Sequence, residues 1–126
     1  MIVELTDQTF EVEVEKNFSP CAVLFHKPTC GPCKVVHAPY QALEERFGVF
    51  LRMFKLNAVT FPKIAEEEVG LSYPTLVIYD RGVPFGKHIG TFNEQTLEAF
   101  LRKQMDALMR KRQLEVQARQ RVVSVN

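Results

Sequence analysis

Two cysteines separated by two residues, in Thr29-Cys30-Gly31-Pro32-Cys33-Lys34, are the side chains of this sequence best placed to do chemistry. They follow the apolar run Cys21-Ala22-Val23-Leu24-Phe25 and precede a helical pattern that begins at Lys34, which predicts a point where a strand hands over to a helix. At a helix N-terminus the unpaired backbone N–H groups and the positive end of the dipole favour an anion, so a thiol there shifts toward the reactive thiolate. Cys30 is then a nucleophile toward a disulfide. Cys33, one turn on, is close enough to attack a mixed disulfide on Cys30 and close a small ring, while Pro32 fixes the helix start and Gly31 admits a substrate backbone. Two other uses of the pair compete with this one, a zinc site and an inert remnant. Zinc commonly takes four ligands from two paired motifs, and only Cys21 and His37 lie nearby as additions, so thiol–disulfide exchange is favoured.

The elements that must position this loop follow from periodicity. Ile2 to Leu5 reads as a short strand and Thr6-Asp7 as a cap for a helix to about Asn17, with Phe10, Val14 and Phe18 at spacing four on one face; the alternation Glu11 to Glu15 would also suit a strand. Cys21 to His26 is a buried central strand. The helix from Cys33 to Phe47 carries Val35, Val36, Tyr40, Leu43 and Phe47, stops at Gly48 and is expected to kink near Val35 because of Pro39. Val49 to Asn57 reads as a strand, Pro62 to Gly70 as a short helix, and Thr75 to Tyr79 as a strand. A turn at Asp80-Arg81-Gly82 leads to an edge strand, Val83 to Gly90, broken by Pro84 and Gly86, and Asn93 caps a last helix through Leu97, Leu101, Met105 and Leu108. The order βαβαβαββα predicts an α/β fold with a central mixed sheet covered by helices on both faces.

With 126 residues, 46% apolar and 25% charged, the chain supports one core of ordinary globular composition. No apolar run approaches the roughly 18 residues of a membrane span, and Met1 to Leu5 has neither a basic nor an apolar leader pattern, so a cytoplasmic protein without a membrane partner is expected. Three cysteines are too few for a disulfide-stapled secreted scaffold. Charge is uneven: residues 1–101 hold nine basic and thirteen acidic side chains, net −4, whereas 102–126 hold seven and two, net +5. Residues 1–105 are therefore expected to form the domain and 106–126 a basic C-terminal helical extension or tail. The tail lacks the interleaved aromatics of a single-strand nucleic-acid site, and none is expected to bind. Leu101, Leu108 and Glu115 fall at heptad spacing, with a charge ending the seam.

Cys30-Gly31-Pro32-Cys33 after the second strand, Lys55-Leu56-Asn57 ending the third, Tyr73-Pro74-Thr75 opening the fourth and Gly90 after the fifth together resemble the thioredoxin family over roughly residues 2 to 104. The resemblance implies the thioredoxin fold and a protein-disulfide reductase or exchange activity. Cys30 would attack and Cys33 resolve, with no cofactor. It also implies disulfide-containing protein substrates, a thioredoxin reductase or similar reductant as electron donor, and a part in cell redox homeostasis and electron transport. Pro74 would be cis and face the dithiol, Tyr73 would pair with substrate backbone, and Gly90 would line the same groove. An alternative is a redox-inactive adaptor of the same fold that binds a partner through the groove or the tail.

Besides Pro39, which falls one residue later than the family's helix proline, three positions before Cys30 differ from the family pattern. Thr29 stands where a tryptophan is usual, His26 where a second aromatic is common, and Leu24 where a buried aspartate is thought to take the proton of the resolving thiol. His26 is a candidate replacement base, since an ordinary imidazole pKa of about 6.5 suits that role, although a hydrogen-bonded or partly exposed histidine is the plainer reading. Lys55 matches a family lysine that lies near the missing carboxylate. His37, four residues after Cys33, shares its helix face and is read as a solvated position able to influence that thiol. Cys21 reads as a small apolar core residue and Glu66-Glu67-Glu68 as a solvated helix face.

Overall fold

A computed structural model describes residues 2–124. Its strands are β1 (Val3–Leu5), β2 (Cys21–His26), β3 (Arg52–Asn57), β4 (Thr75–Asp80) and β5 (Val83–Ile89), arranged as one sheet in the order β1-β3-β2-β4-β5. β1 and β2 both run parallel to β3, β4 is antiparallel to β2, and β5 is antiparallel to β4. This is the expected mixed sheet with β2 at its centre.

Alternation along β2 sorts its side chains between two cores. Ala22 and Leu24 face α2 (Gly31–Phe47) and α4 (Glu94–Ser124), packing with Val36, Tyr40, Leu43, Leu97 and Leu101. Cys21, Val23 and Phe25 face the other way, with Phe10 from α1 (Asp7–Phe10), Val14 from the π-wound turn Glu11–Glu15 that continues it, and Ala65 from α3 (Pro62–Val69). Each such large apolar side chain, fully buried, contributes about 1.5–3 kcal/mol. Every residue of β2 is buried, so the strand that presents the dithiol is fixed on both faces.

Several boundaries differ from the sequence expectation. The first helix ends at Glu15, and because its last turn is π-wound the chain leaves the face before Phe18, which is 81% exposed instead of packed with Phe10 and Val14. α2 begins at Gly31, three residues before Lys34, because Cys30 acts as its N-cap and Pro32 fits the first turn; the helix continues through Pro39 to a Gly48 cap. β3 begins only at Arg52, since Phe50 N and Leu51 N donate back to Phe47 O and hold 48–50 in a turn with Val49 and Phe50 exposed. Arg81 and Gly82 make the hairpin turn with positive φ, and β5 runs unbroken past Pro84 and Gly86, which sit opposite a register shift at Ile78/Tyr79.

Asn93 caps α4 reciprocally with Thr96: Thr96 N donates to Asn93 Oδ1 at 2.9 Å and Asn93 N to Thr96 Oγ1 at 3.0 Å. The helix then runs 31 residues without a break. Beyond Leu108 it is tied to the hairpin by Asp80, which accepts from Lys111 Nζ at 2.7 Å and Arg112 Nη2 at 2.8 Å, and by Arg81 with Glu115 at 2.9 Å. Leu101 and Leu108 are thus spent on the protein's own core, and Glu115 on its own arginine. No helix of the described residues is long and apolar enough to cross a membrane.

Candidate active site

The dithiol stands where the C-terminal end of β2 passes into α2. Cys30 N donates to Lys27 O at 3.1 Å, closing the connecting turn, and Cys30 takes an extended backbone as the N-cap of α2. Its Sγ accepts from the backbone N–H of Cys33 at 3.2 Å. The two cysteines form a disulfide, with Cα atoms 5.2 Å apart. Cys30 is half-buried and Cys33 is fully buried. Gly31 and Pro32 between them are exposed, and a side chain at Gly31 would meet nothing within 4 Å, so this loop lies open to a partner.

Facing the pair is the start of β4. The Tyr73–Pro74 peptide bond is cis, Pro74 is buried, and the Tyr73 carbonyl oxygen lies 3.8 Å from Cys30 Sγ. Gly90 N donates to Pro74 O at 2.9 Å, and Gly90 has φ +99°, a conformation that favours glycine, with open space where a Cβ would stand. The structure therefore brings Cys30, Cys33, Tyr73, Pro74 and Gly90 together. The Tyr73 ring is anchored by its hydroxyl, which donates to Gly70 O at 3.0 Å, and Lys27 Nζ lies 4.6 Å from the ring centroid.

Behind the pair, on the α2 side of the sheet, lies a second group of polar residues. His26 is 6% exposed, and its Nε2 is 3.0 Å from Glu4 Oε1 on β1. Its ring meets that of His37 edge to face, with centroids 4.9 Å apart. His37 is thus half-buried against His26, not the solvated helix position expected, because the face it shares with Cys33 turns toward the sheet. Burial pushes the His26 pKa down, the Glu4 contact offsets part of this, and the Lys55 ammonium adds to it. His37 is likewise lowered, first by burial and then by His26 and Lys55. Lys55 lies in register with Glu4 on one side and Leu24 on the other.

The remaining candidates sit apart from this chemistry. Cys21 is buried at the far end of β2, and burial raises its thiol pKa to about 12, so it is a core residue. Of the three acidic residues on α3, Glu68 is not merely solvated: its Oε1 accepts from the buried Tyr79 hydroxyl at 2.5 Å. A cavity of about 510 Å³ lined by Pro20, Phe50, Leu51, Met105, Leu108 and Met109 opens beside the N-terminal end of β2, away from the dithiol.

Glu4 and Lys27 were not singled out from sequence. Glu4 reaches His26 across β3, a contact with no local spacing signal, and Lys27 meets Tyr73 from 46 positions away in the chain.

Comparison with known proteins places this geometry among relatives. The thioredoxin family model matches residues 1–103. The thioredoxin of Porphyra purpurea is 35% identical over 102 residues, covering 81% of this chain and 95% of that protein. Thioredoxin 1 of a Nostoc species is 29% identical with the same coverage. A bifunctional thioredoxin reductase/thioredoxin of Mycobacterium leprae is 30% identical over 95 residues, 75% of this chain and 21% of that protein.

Proposed function

The chain belongs to the thioredoxin family and is a thiol–disulfide oxidoreductase, and from that premise we propose that Cys30 attacks a disulfide in another protein while Cys33 resolves the mixed disulfide that results. The observation that carries this division is the Cys33 N–H aimed at Cys30 Sγ from 3.2 Å, because a donor held there at the head of a helix stabilises a thiolate on Cys30. Accessibility supports the same assignment, since Cys30 is half-buried and Cys33 fully buried. In the proposal the extended substrate lies along Tyr73 and Pro74, with Gly90 leaving room for its backbone. Two electrons pass from the dithiol to the substrate disulfide, and a thioredoxin reductase or similar reductant restores them. The Mycobacterium leprae relative, whose name joins a reductase to a thioredoxin, supports that choice of donor. A reducing compartment such as the cytoplasm suits a dithiol on duty for redox homeostasis and electron transport.

An insulin reduction assay with dithiothreitol or a reductase tests this reading. Wild type turns over, and neither Cys30→Ser nor Cys33→Ser does. Turnover persisting in Cys30→Ser would overturn the assignment, as would a wild type without turnover whose partner capture survives both substitutions, the behaviour of an adaptor.

A further inference from the structure

Cys33 has no exposed surface, so the proton it must lose before attacking cannot pass straight to bulk water. One turn further along α2, on the same helix face, stands His37, whose ring contacts that of His26. The Nε2 contact of His26 is with a carboxylate, which only accepts; in the neutral imidazole this assigns the proton to Nε2 and the lone pair to Nδ1. That Nδ1 is buried and has no hydrogen-bond partner among the described residues. A buried polar atom left unpaired is destabilising, and here it is a base without a proton on the side of the sheet that α2 covers. The charged groups facing the two imidazoles are Glu4 from β1 and Lys55 from β3; burial and the Lys55 ammonium push both pKa values below the ordinary imidazole range, and Glu4 offsets part of this.

We propose that the His26–His37 imidazole pair, held in place by Glu4, accepts the proton of Cys33 as the mixed disulfide resolves. The Cys33 S–H bond breaks and its proton goes to an imidazole nitrogen of the pair. The sulfur electron pair then forms the bond to Cys30 Sγ, the bond from Cys30 to the substrate sulfur breaks, and its electrons leave on the substrate thiolate. That thiolate is protonated by the imidazolium or by water. The dithiol loses two electrons and the substrate gains them. Glu4 acts only through His26 and is a positioning residue. The inference rests on Cys30 attacking and Cys33 resolving.

Single-turnover stopped-flow with the reduced full chain and 5,5′-dithiobis(2-nitrobenzoate) separates the two steps, since the first chromophore released reports attack by Cys30 and the second reports resolution by Cys33. In His26→Leu/His37→Leu the second phase slows about 10- to 100-fold at neutral pH while the first is unchanged, and the gap narrows at alkaline pH, where hydroxide supplies the base. Glu4→Gln, at an exposed position, keeps the test decisive if the double variant misfolds. It slows the second phase less and moves the midpoint of its pH profile down, because Glu4 holds the His26 pKa up. A second phase with wild-type rate and pH profile in Glu4→Gln, or in the folded double variant, would overturn the proposal, and so would equal slowing of both phases at every pH. Absence of the first phase in the unmodified protein would remove the attack-and-resolve premise itself.

Discussion

Asp80→Asn tests how α4 is held beyond residue 103, where the family match ends. The Asp80 side chain is 1% exposed, yet its partners Lys111 and Arg112 are 45% and 42% exposed. Two hydrogen bonds between charged groups would be worth about 3–6 kcal/mol if all partners were buried. Both cations can return to water when the carboxylate is lost, which discounts the loss to about 2 kcal/mol. Urea unfolding at neutral pH reads this as a midpoint lowered by roughly 1 M, given slopes of about 1–3 kcal/mol/M. The pH dependence supplies a second check. Burial pushes the Asp80 carboxyl up, but Lys111 and Arg112 outweigh it, and its folded pKa is lowered. A carboxyl depressed on folding stabilises the native state above its unfolded pKa of about 3.9 and ceases to do so as pH falls through the folded value. The gap between wild type and variant is therefore constant at neutral pH and closes on acidification below about pH 4. Since Asp80 ends β4 and the dithiol faces its start, attack by Cys30 is unchanged. A midpoint equal to wild type, or a gap that widens in acid, would refute the clamp.

Three further outcomes are expected. Tyr40→Phe removes a fully buried hydroxyl that donates to Phe54 O at 2.7 Å, and the carbonyl left behind makes the cost about 1–2 kcal/mol by chemical denaturation. Cys21, with its thiol pKa pushed up to about 12 by burial, stays unalkylated when the reduced native protein is treated with iodoacetamide near pH 8, and intact mass with peptide mapping places the label on the dithiol. Leu24→Asp sacrifices about 2 kcal/mol of apolar burial and places a carboxyl in the α2–α4 core. Burial raises that carboxyl's pKa, so the variant's stability deficit grows as pH rises from acid to neutral. Stopped-flow traces of the same variant change in the resolution phase more than in the attack phase.

Much of this could be read from the chain because the decisive signals are local. A CxxC between an apolar strand and a helix places a thiol at a helix N-terminus by spacing alone, and the cap geometry of Cys30 is what that spacing implies. The bounded apolar run Cys21 to His26 and the Asn93 cap likewise gave their elements away. Misplaced boundaries came from features that spacing does not encode. A π-wound turn rotates Phe18 out of a face that an ideal helix would keep, and the backward hydrogen bonds after Gly48 delay β3 although Val49, Phe50 and Leu51 favour a strand. The polar group behind the dithiol was only half legible. His26 and His37 stand out by residue type and by position relative to Cys33, but Glu4 joins them only once β1 pairs with β3.

The most direct measurement of the central claim is the site of covalent capture in Cys33→Ser. Mixed with a disulfide-containing protein and analysed by intact mass and peptide mapping, the variant is predicted to hold one substrate through Cys30, released by dithiothreitol. Capture through Cys21, or no covalent adduct with any disulfide protein that wild type reduces, would contradict attack by Cys30 and resolution by Cys33.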